Sequence, residues 1–281
     1  MRPCQDCPGL SGLGGLARRA TVVARLQKEN RSMLLVDAGN TIFGAESIGS
    51  RGEVIVSAYN ALGYDALNLS YRDFRLGKET TLALLKDAQF TVLSANLLDD
   101  KTGKPLAQPY VVKRIGDERI ALIGVTQRPA RLDYLPHLKE QLASIRIQSP
   151  SDALRQWLPN VKAQSDAVIL VYYGSAVGIQ TIHREFGKDL SVVLVGGSKP
   201  EYLPSKSIPS VIGTYSRGQH LVQARFEPDT GRIEVSQLAV EPTIEPDPEM
   251  QAMLAPYLEA VTWAPSRPLP DIDRKPSTKV P

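Results

Sequence analysis

Apolar positions along the chain follow two alternating rhythms. Short continuous apolar runs, each ending in a polar or glycine-rich step, fall at residues 33–36, 65–69, 90–94, 167–172 and 190–195. Runs of that length bounded by turn residues predict buried strands. Between them the spacing is helical: within residues 16–28, Leu16, Ala20, Val23 and Leu26 share one face. Further helices are predicted over residues 53–62, stopped by Gly63, and over 79–86, 151–161, 178–186 and 250–261. Residues 110–115 and 119–125 flank Gly116 and Asp117 as a hairpin. From residue 207 the rhythm changes to antiparallel strands at 211–213, 219–226 and 233–240, with a turn at 229–231. Repeated β-α units joined by hairpins predict α/β layers around a mixed sheet.

In such layered folds, loops at the carboxyl ends of strands converge on one cleft. Four strand ends are marked here: Asp37-Ala-Gly-Asn40, Ser70-Tyr71-Arg72-Asp73-Phe74, Tyr172-Tyr173-Gly174 and Gly196-Gly197-Ser198-Lys199-Pro200. The cleft they predict is lined by Asp37, Asn40, Tyr71, Arg72, Asp73, Tyr172, Ser198 and Lys199.

Composition narrows the function classes. With 281 residues, 42% apolar and 22% charged, the chain can bury a full core. The net charge of +3 is small and scattered, which argues against nucleic acid as a partner. No apolar run approaches the ~20 residues a membrane span needs. The opening residues lack an apolar h-region, so no signal peptide is expected in this chain. Cys4 and Cys7 form a C-x-x-C pair followed by Pro8. With no second Cys or His pair downstream, it is neither a zinc site nor a c-type haem attachment, which leaves a redox or disulfide pair or an inert one. His137, in a loop after Pro136, His183 on a helix and His220 in a strand all lie away from the strand-end loops, and each is read as structural. Residues 263–281 are rich in proline and charge, and predict a mobile tail.

Several segments in order resemble the 5′-nucleotidase and UDP-sugar hydrolase type of calcineurin-like metallophosphoesterase. They are GGLARRAT at residues 14–21, LLVDAG at 34–39, YNALGYDA at 59–66, VLSAN at 92–96, PYVV at 109–112 and IALIG at 120–124. The strands from Gly213 to Phe226 and the run EPDPEM at 245–250 resemble the end of that family's catalytic domain and its linker helix. The resemblance covers roughly residues 12–262. It implies a four-layer α/β/β/α sandwich over residues 16–262, preceded by the C-x-x-C segment at 1–15 and followed by the tail at 263–281. It also implies a catalytic centre of two divalent metal ions. The family is typically exported, which points to a periplasmic or extracytoplasmic location.

The ligand positions implied by the resemblance are all changed. The family's bridging Gly-Asp is Gly39-Asn40, and an amide is a poor bridge between two cations. The Gly-Asn-His-Glu loop is Ser70-Tyr71-Arg72-Asp73, the Ser-His strand end is Val171-Tyr172, and the Gly-Gly-His-x-His loop is Gly196-Gly197-Ser198-Lys199-Pro200. The first motif, Asp-x-His, falls either on Asp6-Cys7-Pro8 or before Met1, and in both cases the usual first strand has almost no residues. No metal cofactor is therefore expected. Two readings of the cleft stand: a metal-free pocket in which Arg72 and Lys199 hold a small anion such as phosphate or carboxylate, or an inert cleft in which Arg72 pairs with Asp37 or Asp73. The function expected is a catalytically degenerate member of this family, acting as a binding, scaffold or accessory subunit with a protein partner or within a larger assembly. The alternatives are a metal-dependent phosphoester hydrolase with non-standard ligands and a redox accessory protein using Cys4 and Cys7.

Overall fold

The computed structural model describes residues 12–30, 32–42, 50, 52–130, 132, 136–197, 210–214, 218–227 and 232–260. The C-x-x-C pair, the turn at 229–231, Ser198, Lys199 and the tail lie outside them.

The first half of the chain builds a parallel sheet of β1 (Val36–Asp37), β2 (Ala66–Asn68) and β3 (Thr91–Leu93), in that order. The apolar run at 33–36 pairs along only its last residue and Asp37, in register Val36 to Ala66 and Asp37 to Leu67. Helix α1 (Leu16–Glu29) and helix α2 (Glu53–Leu62) cover one face of this sheet, joined by α7 (Pro248–Ala260) from the far end of the chain. α2 stops where the sequence predicts, at Gly63 in the left-handed region with φ 68°. A 3-10 turn (Tyr71–Leu76) leads into α3 (Lys78–Leu84).

The second sheet has five strands in the order β10-β9-β8-β6-β5. β5 (Tyr110–Ile115) and β6 (Glu118–Thr126) form the expected hairpin. β6 then runs parallel to β8 (Ala167–Tyr173), β8 to β9 (Val192–Gly196) and β9 to β10 (Ser210–Gly213). Helices α5 (Pro150–Gln164) and α6 (Ala176–Phe186) cover its outer face. Each begins on a serine whose side chain accepts an amide of the first turn, Ser149 from Asp152 and Ser175 from Gly178. The periodicity did not signal a small antiparallel pair, β4 (Leu97–Asp99) with β7 (Ile145–Ile147), or the short helix α4 (Pro136–Gln141). His137 therefore sits on a helix rather than in a loop. A ribbon of β11 (His220–Glu227) and β12 (Arg232–Ala239) precedes α7.

Side-chain alternation stacks these elements into four layers. Along β6, Ala121, Ile123 and Val125 face α5 and α6, whereas Leu122 faces the first sheet. Along β8, Val168, Leu170 and Tyr172 face the helices, and Val171 meets Ala38, Ala66 and Leu93 between the sheets. Two buried asparagines lock the layers together. Asn68 donates to the Ala38 and Val125 carbonyls, and Asn96 exchanges hydrogen bonds with the Thr126 backbone. Gly14 donates to the Val240 carbonyl at 2.9 Å, so the residues just before α1 already pack on the domain.

Candidate functional site

The carboxyl ends of β1, β2, β8 and β9 meet at one side of the sandwich. At the end of β1 the chain turns through Gly39 (φ 106°) and Asn40 (φ 65°), a left-handed backbone that asparagine adopts more readily than most other non-glycine residues. A side chain at Gly39 would start 2.8 Å from the Asn68 carbonyl. Asp37 does not open toward this turn as a free ligand. Its Oδ1 accepts from the Gly39 amide and the Thr41 hydroxyl, both at 2.8 Å, and its Oδ2 accepts from the Tyr59 hydroxyl at 2.7 Å. Tyr59 in turn stacks on Tyr64 with ring centroids 3.9 Å apart, and Arg19 Nη1 donates to the Tyr64 hydroxyl at 3.2 Å. Burial pushes the Tyr59 and Tyr64 hydroxyls above the ordinary phenol range. Asp37 is therefore the anionic end of a network that ties the strand to α1 and α2.

At the end of β2, Ser70 and Asp73 cap the 3-10 turn reciprocally. Asp73 is fully buried, and its oxygens face donors. Oδ1 accepts from the amides of Thr41 (2.7 Å) and Ile42 (2.9 Å), and Oδ2 from the amides of Asn40 (3.0 Å) and Ser70 (2.8 Å) and from the Ser70 hydroxyl (2.7 Å). Burial pushes the carboxyl up, and the bonds from Ser70, Ile42 and Asn40 pull it back. A carboxylate surrounded by donors in this way shapes backbone and has no lone pair directed at a cation. Asn40 Oδ1, by contrast, is buried with no hydrogen-bond partner among the described residues.

Between these corners lies an aromatic pair. The rings of Tyr71 and Tyr173 meet edge to face, 5.9 Å between centroids. The Arg72 guanidinium lies 5.9 Å from the centroid of the Tyr71 ring, and its Nε lies 3.4 Å from the Tyr71 hydroxyl. Burial, then repulsion from Arg72, lowers the neighbouring Arg75 from the ordinary arginine value.

Six of the eight cleft residues predicted from sequence are thus located. Asn40, Tyr71 and Arg72 gather at the strand ends, while Asp37 and Asp73 are consumed in backbone and network bonds. Tyr172 is displaced from the cleft. It points into the core beneath α6, where its hydroxyl donates to Gln127 Oε1 at 2.8 Å, and burial pushes that hydroxyl up. The tyrosine at the cleft is Tyr173, one residue further on. Strand alternation with Val171 and Tyr172 carries the signal for that assignment, because neighbours in a strand face opposite sides.

A dinuclear centre needs hard anionic donors, imidazoles or both around two closely spaced cations. Among the described residues no three His, Cys, Asp or Glu side chains lie close enough to hold a metal ion. The residues described at the strand ends do not fit the pair of ions that such folds imply. No helix among the described residues is long and apolar enough to cross a membrane.

No protein-family model matches the chain. Curated relatives do: the chain is 27% identical to bovine 5′-nucleotidase over 274 residues, covering 85% of the chain and 46% of the relative. It is 35% identical to a snake venom 5′-nucleotidase of Gloydius brevicauda over 219 residues, covering 74% and 36%. The chain thus spans less than half the length of these relatives. Among solved structures it superposes on the sulfate thiohydrolase SoxB of Thermus thermophilus with TM-score 0.74 and 19% identity, covering 90% of the chain and 48% of SoxB. The calcineurin-like phosphoesterase YfkN of Bacillus subtilis gives TM-score 0.69 at 18% identity, covering 89% and 90%. The chain is thus related in sequence to 5′-nucleotidases and shares the fold of a calcineurin-like phosphoesterase.

Proposed function

We propose that this chain is a catalytically degenerate metallophosphoesterase that works as a binding, scaffold or accessory subunit with a protein partner. The observation that carries the reading is the state of the donors at the strand ends. The two carboxylates there, Asp37 and Asp73, already accept hydrogen bonds on both oxygens. The position matching the family's bridging aspartate is an amide, and those matching its Asn-His pair are Tyr71 and the cation Arg72. An immobile positive charge disfavours two further divalent ions at short range. Kinship with venom proteins supports an extracytoplasmic location.

Metal content and turnover test the reading together. After incubation with Mn²⁺ or Zn²⁺ and desalting, the purified protein is expected to retain no stoichiometric metal and to leave p-nitrophenyl phosphate intact. Two equivalents of tightly bound metal, with hydrolysis abolished by Asn40→Ala, would sink the proposal and establish a hydrolase with non-standard ligands.

A further inference from the structure

We infer that the Tyr71–Tyr173 pair takes over the structural place of the metal ions, joining the ends of β2, β8 and β9 as a dry aromatic core that excludes phosphate-sized anions. The inference rests on the degenerate reading above and says what the cleft has become.

The geometry is specific to Tyr173. Its ring lies flat against the end of β9: a side chain at Gly197 would start 3.0–3.3 Å from three of its ring carbons. One at Gly196 would start 3.2 Å from a fourth ring carbon and 3.0 Å from the Ala38 carbonyl of β1. The end of β2 supplies Tyr71 from the remaining side, and both rings are buried. So the ends of β2 and β9 close on the ring that β8 carries, and β1 approaches β9 beside it at Ala38 and Gly196. Two metal ions about 4 Å apart, with ligands about 2 Å beyond each, span roughly 8 Å. An edge-to-face pair with centroids 5.9 Å apart fills a comparable span. What differs is the cohesion. Ions would hold the strand ends by charge and require anionic ligands, whereas the rings hold them by excluded water and dispersion and require small, apolar neighbours. Gly196 and Gly197 supply those neighbours.

The experiment is a melting series on the full chain. Tyr173→Ala removes the ring and is expected to lower Tm by roughly 10 °C, and Tyr173→Phe, which keeps the ring, by a few degrees at most. p-Cresol, the tyrosine side chain as a free molecule, should raise the Tm of Tyr173→Ala and leave the wild type unmoved, because only the variant has the hole. If Tyr173→Ala does not fold, Tyr71→Ala carries the same comparison. A truncated variant that melts like wild type, or one that p-cresol does not stabilise, overturns the inference while leaving the degenerate reading in place. A wild-type Tm raised by millimolar Mn²⁺ and lowered by chelator overturns both.

Discussion

The two corners of the cleft solve one problem by different chemistry. At the β1–β2 corner the chain must turn sharply, and the amides exposed by the turn are gathered by a single buried carboxylate, Asp73. At the β8–β9 corner the turn is glycine, and it leaves a shelf against which Tyr173 packs. The first corner is polar and directional, with each oxygen of Asp73 matched to named donors. The second is apolar and depends on fit. An acidic residue at a strand end is therefore not a metal ligand by default: Asp73 is oriented by its cap toward backbone amides. Conversely, the glycine pair that resembles a metal loop serves an aromatic ring. Backbone path and side-chain chemistry are separable, and on the proposed reading the path is kept while the chemistry is changed.

The comparison breaks most readily at Asp73. Asp73→Ala strands the amides of Asn40, Thr41, Ile42 and Ser70 in a buried site, and removal of a buried charged acceptor costs on the order of 3–5 kcal/mol. Asp73→Asn should recover little, since its amino group would face donors. Urea denaturation measures both. If each variant lost less than about 1 kcal/mol, the polar corner would not be the anchor described.

A smaller effect is expected where the polar corner reaches the helical layer. Tyr59→Phe removes the donor to Asp37 Oδ2 at a cost of about 1–2 kcal/mol. It also has a pH signature. The folded Tyr59 value lies well above the ordinary phenol value because of burial first and the Asp37 charge second. The unfolded chain therefore loses that proton before the folded protein does. The stabilisation is complete below about pH 10 and falls as pH rises beyond it. Tyr59→Phe should flatten part of that alkaline decline, although Tyr64 and Tyr172, also raised by burial, keep the rest. An unchanged alkaline slope would remove Tyr59 from the network.

Much of this architecture is legible in the sequence, because it is local. The helices over 16–29 and 53–62, the β5–β6 hairpin and the Gly63 stop follow from periodicity and turn chemistry within a few residues. The Ser70-x-x-Asp73 capping box is equally local, yet it sits where a metal loop is expected and reads as a remnant of one. The parts that escape are those set by register and by distance along the chain. Whether Tyr172 or Tyr173 enters the cleft depends on how β8 lies against β9, with Tyr173 opposite Gly196. Asp37 looks free until the fold brings Tyr59 to it, and Tyr59 looks like core until Arg19 and Tyr64 arrive. An apolar alternation identifies a strand, but the partner across the sheet decides which residue faces the site.

The least effect is expected at the other end of the second sheet, where β6 begins and β8 is entered. Arg119 grips Asp166 with two guanidinium nitrogens, at 3.1 and 2.6 Å, while its own amide donates to the same carboxylate at 2.8 Å. The Arg119 guanidinium and then its amide hold the Asp166 carboxyl down at about 2. The unfolded value is near 3.9, so the pair's contribution is complete above about pH 4 and is lost as pH falls toward 2. Both side chains are substantially solvated, and screening keeps the contribution small. Asp166→Asn should nonetheless flatten the acid limb of stability in that window and leave neutral-pH stability nearly unchanged, whereas Tyr173→Ala should lower stability at every pH without bending the limb. If the two variants exchanged these signatures, charge would hold the strand ends together and packing would hold the base of the sheet, the reverse of the arrangement drawn from the geometry.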